Sequence, residues 1–210
     1  MVPARPFLRR LIDAIHTVRK PYHFIRLSQS IRADMHTWLQ FLQSYNGVTF
    51  FRFNSIISSF TINMASDASK TAFGACYGSK WIQCPYPTSW QSRNITILEL
   101  YPVYVMLNMF GHLLTNSNIL FHSDNMAVTA ILNSQSSKEK TIMSILRPLI
   151  LILVKYNINL RSQHIPGLLN ILPDRISRFQ VTSELLHQHK MDPEPTSIPL
   201  HLRPENFVPG

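Results

Sequence analysis

Apolar residues follow two different rhythms along this chain, and the change of rhythm divides it. Near the N-terminus Phe7, Leu8, Leu11, Ile12 and Ile15, then Ile31, Met35, Trp38, Leu39 and Leu42, recur at intervals of three and four, the period of a helix with one apolar face. Two amphipathic helices are predicted, the second stopping at Asn46-Gly47. From Phe60 the period shortens to two. Residues 60–66 running into Asp67, residues 73–77 and residues 81–84 are read as three strands of a meander.

The helical period returns over residues 96–114 through Ile97, Leu100, Tyr104, Leu107, Phe110 and Leu114, with Pro102 expected to distort the first turns. A strand at 118–123 ending at Asp124, a short helix at 125–132, a longer one at 138–156, a strand at 157–163 and a closing helix at 173–179 follow. The string βββ-α-β-α-α-β-α predicts an α/β domain with helices packed on a mixed sheet. Residues 181–210 hold Pro193, Pro195, Pro199, Pro204 and Pro209 without a sustained period and read as a linker or tail. The expected organisation is a helical segment at 1–50, an α/β domain at 58–180 and a Pro-rich tail at 181–210.

With 210 residues, 45% of them hydrophobic and 15% charged, the chain can bury a core and is too apolar to be disordered throughout. Its formal charge of +9 is uneven: +5 over residues 1–50, +6 over 51–180 and −2 over 181–210. The excess favours polyanionic partners such as nucleic acid. Two cysteines, Cys76 and Cys84, allow neither a disulfide framework nor a zinc site and read as reduced thiols. No secretory signal is read at the N-terminus, and the apolar run at 142–154, interrupted by Arg147 and Pro148, is too short to span a bilayer. An intracellular location, cytoplasmic or nuclear, and no membrane partner are expected.

Residues 51–180 contain only five acids, and four of them, Asp67, Glu99, Asp124 and Asp174, fall at element ends or on a helix facing the sheet. Taken singly, Asp67 reads equally as a turn residue, Asp124 as an N-cap, and Glu99 and Asp174 as first-turn helix acids. Their joint placement points elsewhere. If the strands bearing Asp67 and Asp124 are neighbours, both acids reach the crevice beyond the strand ends, where sites of open α/β sheets gather. Crowded carboxylates raise one another's pKa, and hard divalent cations offset that cost.

At these positions the sequence resembles a type 1 ribonuclease H domain of a retroelement polyprotein, nearest the DIRS-like retrotransposon group with gypsy-type elements next. The resemblance lies in Ser66-Asp67-Ala68-Ser69 with Phe73-Gly74-Ala75, in Ile97-Leu98-Glu99-Leu100, in His122-Ser123-Asp124-Asn125, and in His164-Ile165-Pro166-Gly167 through Asn170 to Asp174-Arg175-Ile176-Ser177-Arg178. It covers about residues 58–180, and residues 1–50 are similar to the segment joining a reverse-transcriptase palm to such a domain, a basic helical connector. The resemblance implies a ribonuclease H-like fold with a mixed five-stranded sheet. It further implies Mg²⁺-dependent cleavage of the RNA strand of RNA:DNA hybrids with two ions, Mn²⁺ being an alternative. Asp67, Glu99, Asp124 and Asp174 map onto the metal-binding acids, and His164 onto a mobile histidine that assists proton transfer or product release. Ser69, Asn125 and Asn170 map onto positions that contact the hybrid. The palm and fingers of the parent polyprotein are the implied protein partner.

Arg9, Arg10, Arg19, Lys20, Arg26 and Arg32 are candidates for holding phosphates, each equally readable as part of a solvated helix face. Trp38, Trp81 and Trp90 read first as packing residues. Two other functions remain open on the residues alone: a nucleic-acid-binding connector of the same fold without turnover, and an integrase-like nuclease. A helix acid soon after the meander and a His-to-Asp spacing of ten argue against the latter.

Overall fold

The computed structural model describes residues 5–20, 22–43 and 55–207 and divides into two compact units, residues 1–52 and 53–210. In the first unit a 3₁₀ turn at Arg5–Phe7 precedes helices α1 (Arg9–Ile15) and α2 (Gln29–Gln43), the two helices expected there. The predicted stop at Asn46-Gly47 lies outside the described residues. Phe7 is buried against Phe41, their ring centroids 5.8 Å apart. Two of the basic candidates are partnered by acids: Arg9 by Asp13 at 3.0 Å and Arg10 by Asp34 at 3.4 Å. Trp38 borders an open apolar groove of about 860 Å³ together with Leu11, Leu27, Met35, Leu39 and Leu42.

The second unit is mixed α/β. Strands β1 (Ile57–Ser58), β2 (Ala65–Ala68), β3 (Ala72–Tyr77) and β4 (Lys80–Pro85) come first, followed by the one-turn helix α3 (Thr88–Gln91) and the long helix α4 (Ile95–Phe110). Then come β5 (Asn118–Ser123), α5 (Met126–Ser134), α6 (Lys140–Lys155), β6 (Asn159–His164), α7 (Ile171–Ser177) and α8 (Ser183–Gln188). β2, β3 and β4 form the antiparallel meander, while β1, β5 and β6 form a parallel sheet in the order β1-β5-β6. β2 packs beside β5 where the two sheets meet. This is the helix-flanked mixed architecture that the resemblance implies, with one correction: the first strand of the expected five is split.

The split has a local cause. Residues 60–66 alternate as a strand would, yet Asn63 takes a left-handed conformation (φ 47°), which Asn tolerates better than most residues. The Met64 amide closes the turn onto the Ser59 carbonyl at 2.8 Å. Pairing with β5 therefore stops after Ser58, and pairing with β3 starts at Ala65.

α4 is buried on nearly every side because it lies between the meander and α6. Pro102 removes the amide that would serve the Leu98 carbonyl. The buried Tyr86 hydroxyl replaces it, donating to that carbonyl at 2.7 Å. α4 thus runs unbroken from Ile95, and the α6 assignment likewise continues through Pro148. Together with the 3₁₀ turn that follows it, α4 is the one helical stretch among the described residues long and apolar enough to cross a membrane, and most of it is buried inside the domain.

At the outer border of the parallel sheet, Asn133 of α5 donates to the Ser162 carbonyl at 2.7 Å and accepts from the Ser162 amide at 2.8 Å. On the meander side, residues 181–207, read from the sequence as part of a linker or tail, carry α8 and lie against the domain. Thr196 donates to the Trp81 carbonyl at 2.7 Å, the Trp81 indole donates to the Asp192 carbonyl at 2.9 Å, and Tyr101 donates to the Leu202 carbonyl at 3.1 Å. Leu186 and Met191 join Trp81, Leu172 and Ile176 in one buried cluster. Trp81 and Trp90 are core residues. Burial raises the thiol pKa of Cys76 to about 12 and that of Cys84 to about 11, and both cysteines are free.

Candidate active site

Three carboxylates from three separate elements meet at the junction of the two sheets. Asp67 comes from β2, Glu99 from the second turn of α4 and Asp124 from the residue after β5. One oxygen from each lies within 4.8 Å of the others, with Asp67 and Glu99 buried and Asp124 partly so. Each arrives by local necessity. Asp67 sits opposite Gly74 in the antiparallel pair. Glu99 projects from a helix packed on β2 and β3. Asp124 stands where β5 ends, because Asn125 rather than Asp124 caps α5: the Asn125 side chain accepts from the amides of Ala127 at 2.9 Å and Val128 at 3.1 Å. That cap leaves the Asp124 carboxylate free of the helix.

The electrostatics record the crowding. The Asp67 pKa rises from 3.8 to about 6, chiefly through burial, opposed by a hydrogen bond from Ser177 and reinforced by Asp124 and Asp174. Glu99 rises from 4.5 to about 9, again chiefly through burial and then through Asp67 and Asp124, although the Ala68 backbone amide favours its ionised form. The charged neighbours that act on Glu99 are Asp67, Asp124 and Asp174, all of its own sign. Such a set suits a hard cation: the donors are all oxygen and they converge.

Asp174 stands apart from the triad. It lies in the first turn of α7, and its Oδ1 accepts from the Arg178 guanidinium at 2.6 Å, one helical turn on. It remains close enough to raise the pKa of both Asp67 and Glu99. Pro173 ahead of it is the third residue of α7, where a missing amide costs no intrahelical bond. His164, the last residue of β6, is exposed, and its Nε2 lies 3.2 Å from the Asp124 carbonyl oxygen.

The three residues expected to contact substrate have partners within the chain. Asn125 is the cap just described. Ser69 organises the β2–β3 turn, donating to or accepting from Ala72, Thr71 and the Ser177 carbonyl at 3.0–3.2 Å. Asn170 is buried, and its amide donates to the Ser66 carbonyl and to Asp124 Oδ1, both at 3.1 Å.

Four residues that sequence reasoning gave no role also shape the site. Ser177 is fully buried and donates to Asp67 Oδ2 at 2.5 Å. Arg178 engages Asp174. Gly74 lets α7 approach β3: a Cβ there would stand 2.5 Å from Ile176 Cγ2 and 2.8 Å from the Ser177 amide nitrogen. Gly167 lies beside Asp124, where a Cβ would stand at ordinary contact distance, 3.4 Å, from Asp124 Oδ2. The Ser-Arg pair ending the last motif and the Gly following Phe73 were the available signals.

Three carboxylates converging where the two sheets of a mixed α/β domain meet define this chain by fold and site. No protein-family model matches the sequence, and no curated protein matches it. Among solved structures, ribonuclease H1 from the halophilic archaeon Halobacterium salinarum NRC-1 is similar over 60% of this chain and 97% of its own, with 12% identity and a TM-score of 0.46. The native protease-reverse transcriptase of prototype foamy virus is similar over 78% of this chain at 11% identity and a TM-score of 0.34. A foamy viral protease-reverse transcriptase in complex with double-stranded DNA is similar over 76% at 11% identity and a TM-score of 0.30. This chain spans 22% and 30% of those two viral chains.

Proposed function

We propose that this chain is a divalent-metal-dependent ribonuclease H that cleaves the RNA strand of RNA:DNA hybrids, from a retroelement polyprotein of the DIRS-like or gypsy-like kind. The observation that carries the reading is the triad of Asp67, Glu99 and Asp124, whose oxygens lie within 4.8 Å of one another. In a basic protein, an acidic pocket of this kind attracts a cation, and the cation attracts phosphate.

Asp67, Glu99 and Asp124 would hold one Mg²⁺ or Mn²⁺ ion, and Asp174, once released from Arg178, would help hold a second. Bound divalent ions lower the pKa of a water and stabilise charge on a departing oxygen in phosphodiester displacement. The chain supplies the rest. His164, exposed beside Asp124, would move a proton to or from the leaving group. Recognition of RNA over DNA would rest on 2′-hydroxyl contacts in a wide, shallow minor groove, with basic residues of the 1–50 segment on phosphates. The palm and fingers of a reverse transcriptase would present the hybrid, in the cytoplasm or nucleus.

The test is a labelled hybrid incubated with the purified chain in Mg²⁺. The RNA strand is expected to be cut, and Asp124→Asn to abolish cutting while hybrid binding stays measurable. Equal residual cutting by both proteins would refute the nuclease reading. One observation favours the second reading, a hybrid-binding connector without efficient turnover: Asp174 is held by Arg178 rather than by the triad. Under that reading the hybrid binds and survives.

A further inference from the structure

The two ends of α7 each touch a different carboxylate of the triad. At the start, the Asn170 amide spends both its hydrogens, one on the Ser66 carbonyl and one on Asp124 Oδ1, each at 3.1 Å. At the end, the single Ser177 hydroxyl hydrogen has two acceptors, Asp67 Oδ2 at 2.5 Å and the Asp174 carbonyl at 2.9 Å, and the shorter contact is the one to the carboxylate. Both donors are closed to water, Ser177 with 0% and Asn170 with 2% of its surface exposed. α7 itself is anchored from outside the site: Gln83 donates to the Ile176 carbonyl, Ser69 donates to the Ser177 carbonyl at 3.1 Å, and Leu172 and Ile176 sit in the buried cluster with Trp81 and Leu186.

We propose that Ser177 and Asn170 are positioning residues which, through α7, fix the orientations of the Asp67 and Asp124 carboxylates for a shared cation; the proposal rests on the metal-dependent nuclease reading. Each donor occupies one oxygen of its carboxylate and thereby sets the direction of the other. Neither residue needs to touch the ion or the hybrid. Groups that orient metal ligands in this way typically cost 10–100-fold in metal affinity when removed.

The experiment is calorimetric titration of the full chain with Mg²⁺ alone, for the wild type, Ser177→Ala, Asn170→Ala, Asp67→Asn and the Asp67→Asn/Ser177→Ala double variant. Ser177→Ala and Asn170→Ala are each expected to weaken Mg²⁺ binding about ten-fold. In the Asp67→Asn background, Ser177→Ala should change nothing further, which a general loosening of the fold would not produce. Wild-type affinity in both folded single variants, or the same added loss with Asp67 already replaced, would overturn the proposal. Crystal structures of the two single variants separate it from the nuclease reading. If the wild type binds no Mg²⁺ but Asp67 and Asp124 turn away in the variants, the brace stands and the nuclease reading falls. Unmoved carboxylates overturn the brace.

Discussion

Tyr86 donates its hydroxyl to the Leu98 carbonyl at 2.7 Å, standing in for the amide that Pro102 lacks. The carbonyl precedes Glu99, so this bond steadies the turn of α4 that delivers a triad member. Tyr86→Phe leaves a buried acceptor unpaired and is expected to destabilise the domain by about 1–3 kcal/mol. Urea unfolding at constant m-value measures it.

Gly74→Ala tests the close approach of α7 to β3. The added methyl would meet Ile176 and the Ser177 backbone at 2.5–2.8 Å, so α7 must shift. A loss of about 1–3 kcal/mol is expected, accompanied by weaker Mg²⁺ binding, because Ser177 moves with the helix. Melting temperature and Mg²⁺ calorimetry on the same variant check the two effects together.

Raised carboxylate pKa values make metal-free stability depend on pH in a definite direction. Asp67 titrates near 6 and Glu99 near 9 in the folded chain, against 3.8 and 4.5 as ordinary values. The folded state thus holds protons that the unfolded state has already released, and stability falls as pH rises from about 4 through 9. Asp67→Asn should recover on the order of 2–3 kcal/mol at pH 8 without metal, a rise in Tm of roughly 5 °C or more. Mg²⁺ should flatten the pH dependence of the wild type more than that of Asp67→Asn. Thermal melts across pH, with and without Mg²⁺, decide it.

His164→Ala is expected to lower kcat on a hybrid about 100-fold while Mg²⁺ affinity holds, since its ring lies against the Asp124 backbone oxygen and not its carboxylate. An equal loss of Mg²⁺ affinity would assign His164 to the metal instead.

Removing residues 181–210 strips Leu186 and Met191 from the cluster that holds Leu172 and Ile176 of α7. The truncated chain should therefore melt at a lower temperature and bind Mg²⁺ more weakly, although the deletion removes no carboxylate of the triad. Hydrogen exchange is expected to rise first in α7.

Much of this was readable from residue order alone. The strand at Asn118–Ser123 matches its predicted limits because an apolar run meeting Asp124-Asn125 signals both a buried strand and its end. The convergence of Asp67 and Asp124 was conditional on their strands lying side by side, and β2 does pack beside β5. What escaped depends on side-chain partners chosen in three dimensions. Periodicity at residues 60–66 could not show that Asn63 would turn left-handed. Nothing local in Asp192 or Leu202 announces that Trp81 and Tyr101 reach their carbonyls. The pairing of Asp174 with Arg178, the cap made by Asn125 and the turn contacts of Ser69 are likewise decided by reach and angle rather than by residue type.

Asn133 gives the domain a property separate from chemistry. By meeting the amide and the carbonyl of Ser162 with its own carboxamide, it imitates a missing neighbour and plugs the outermost ladder position of β6. An extended peptide, or a second molecule of the same kind, finds that rung already taken and gains little by adding itself there. The domain is thereby kept from pairing edge to edge through this strand.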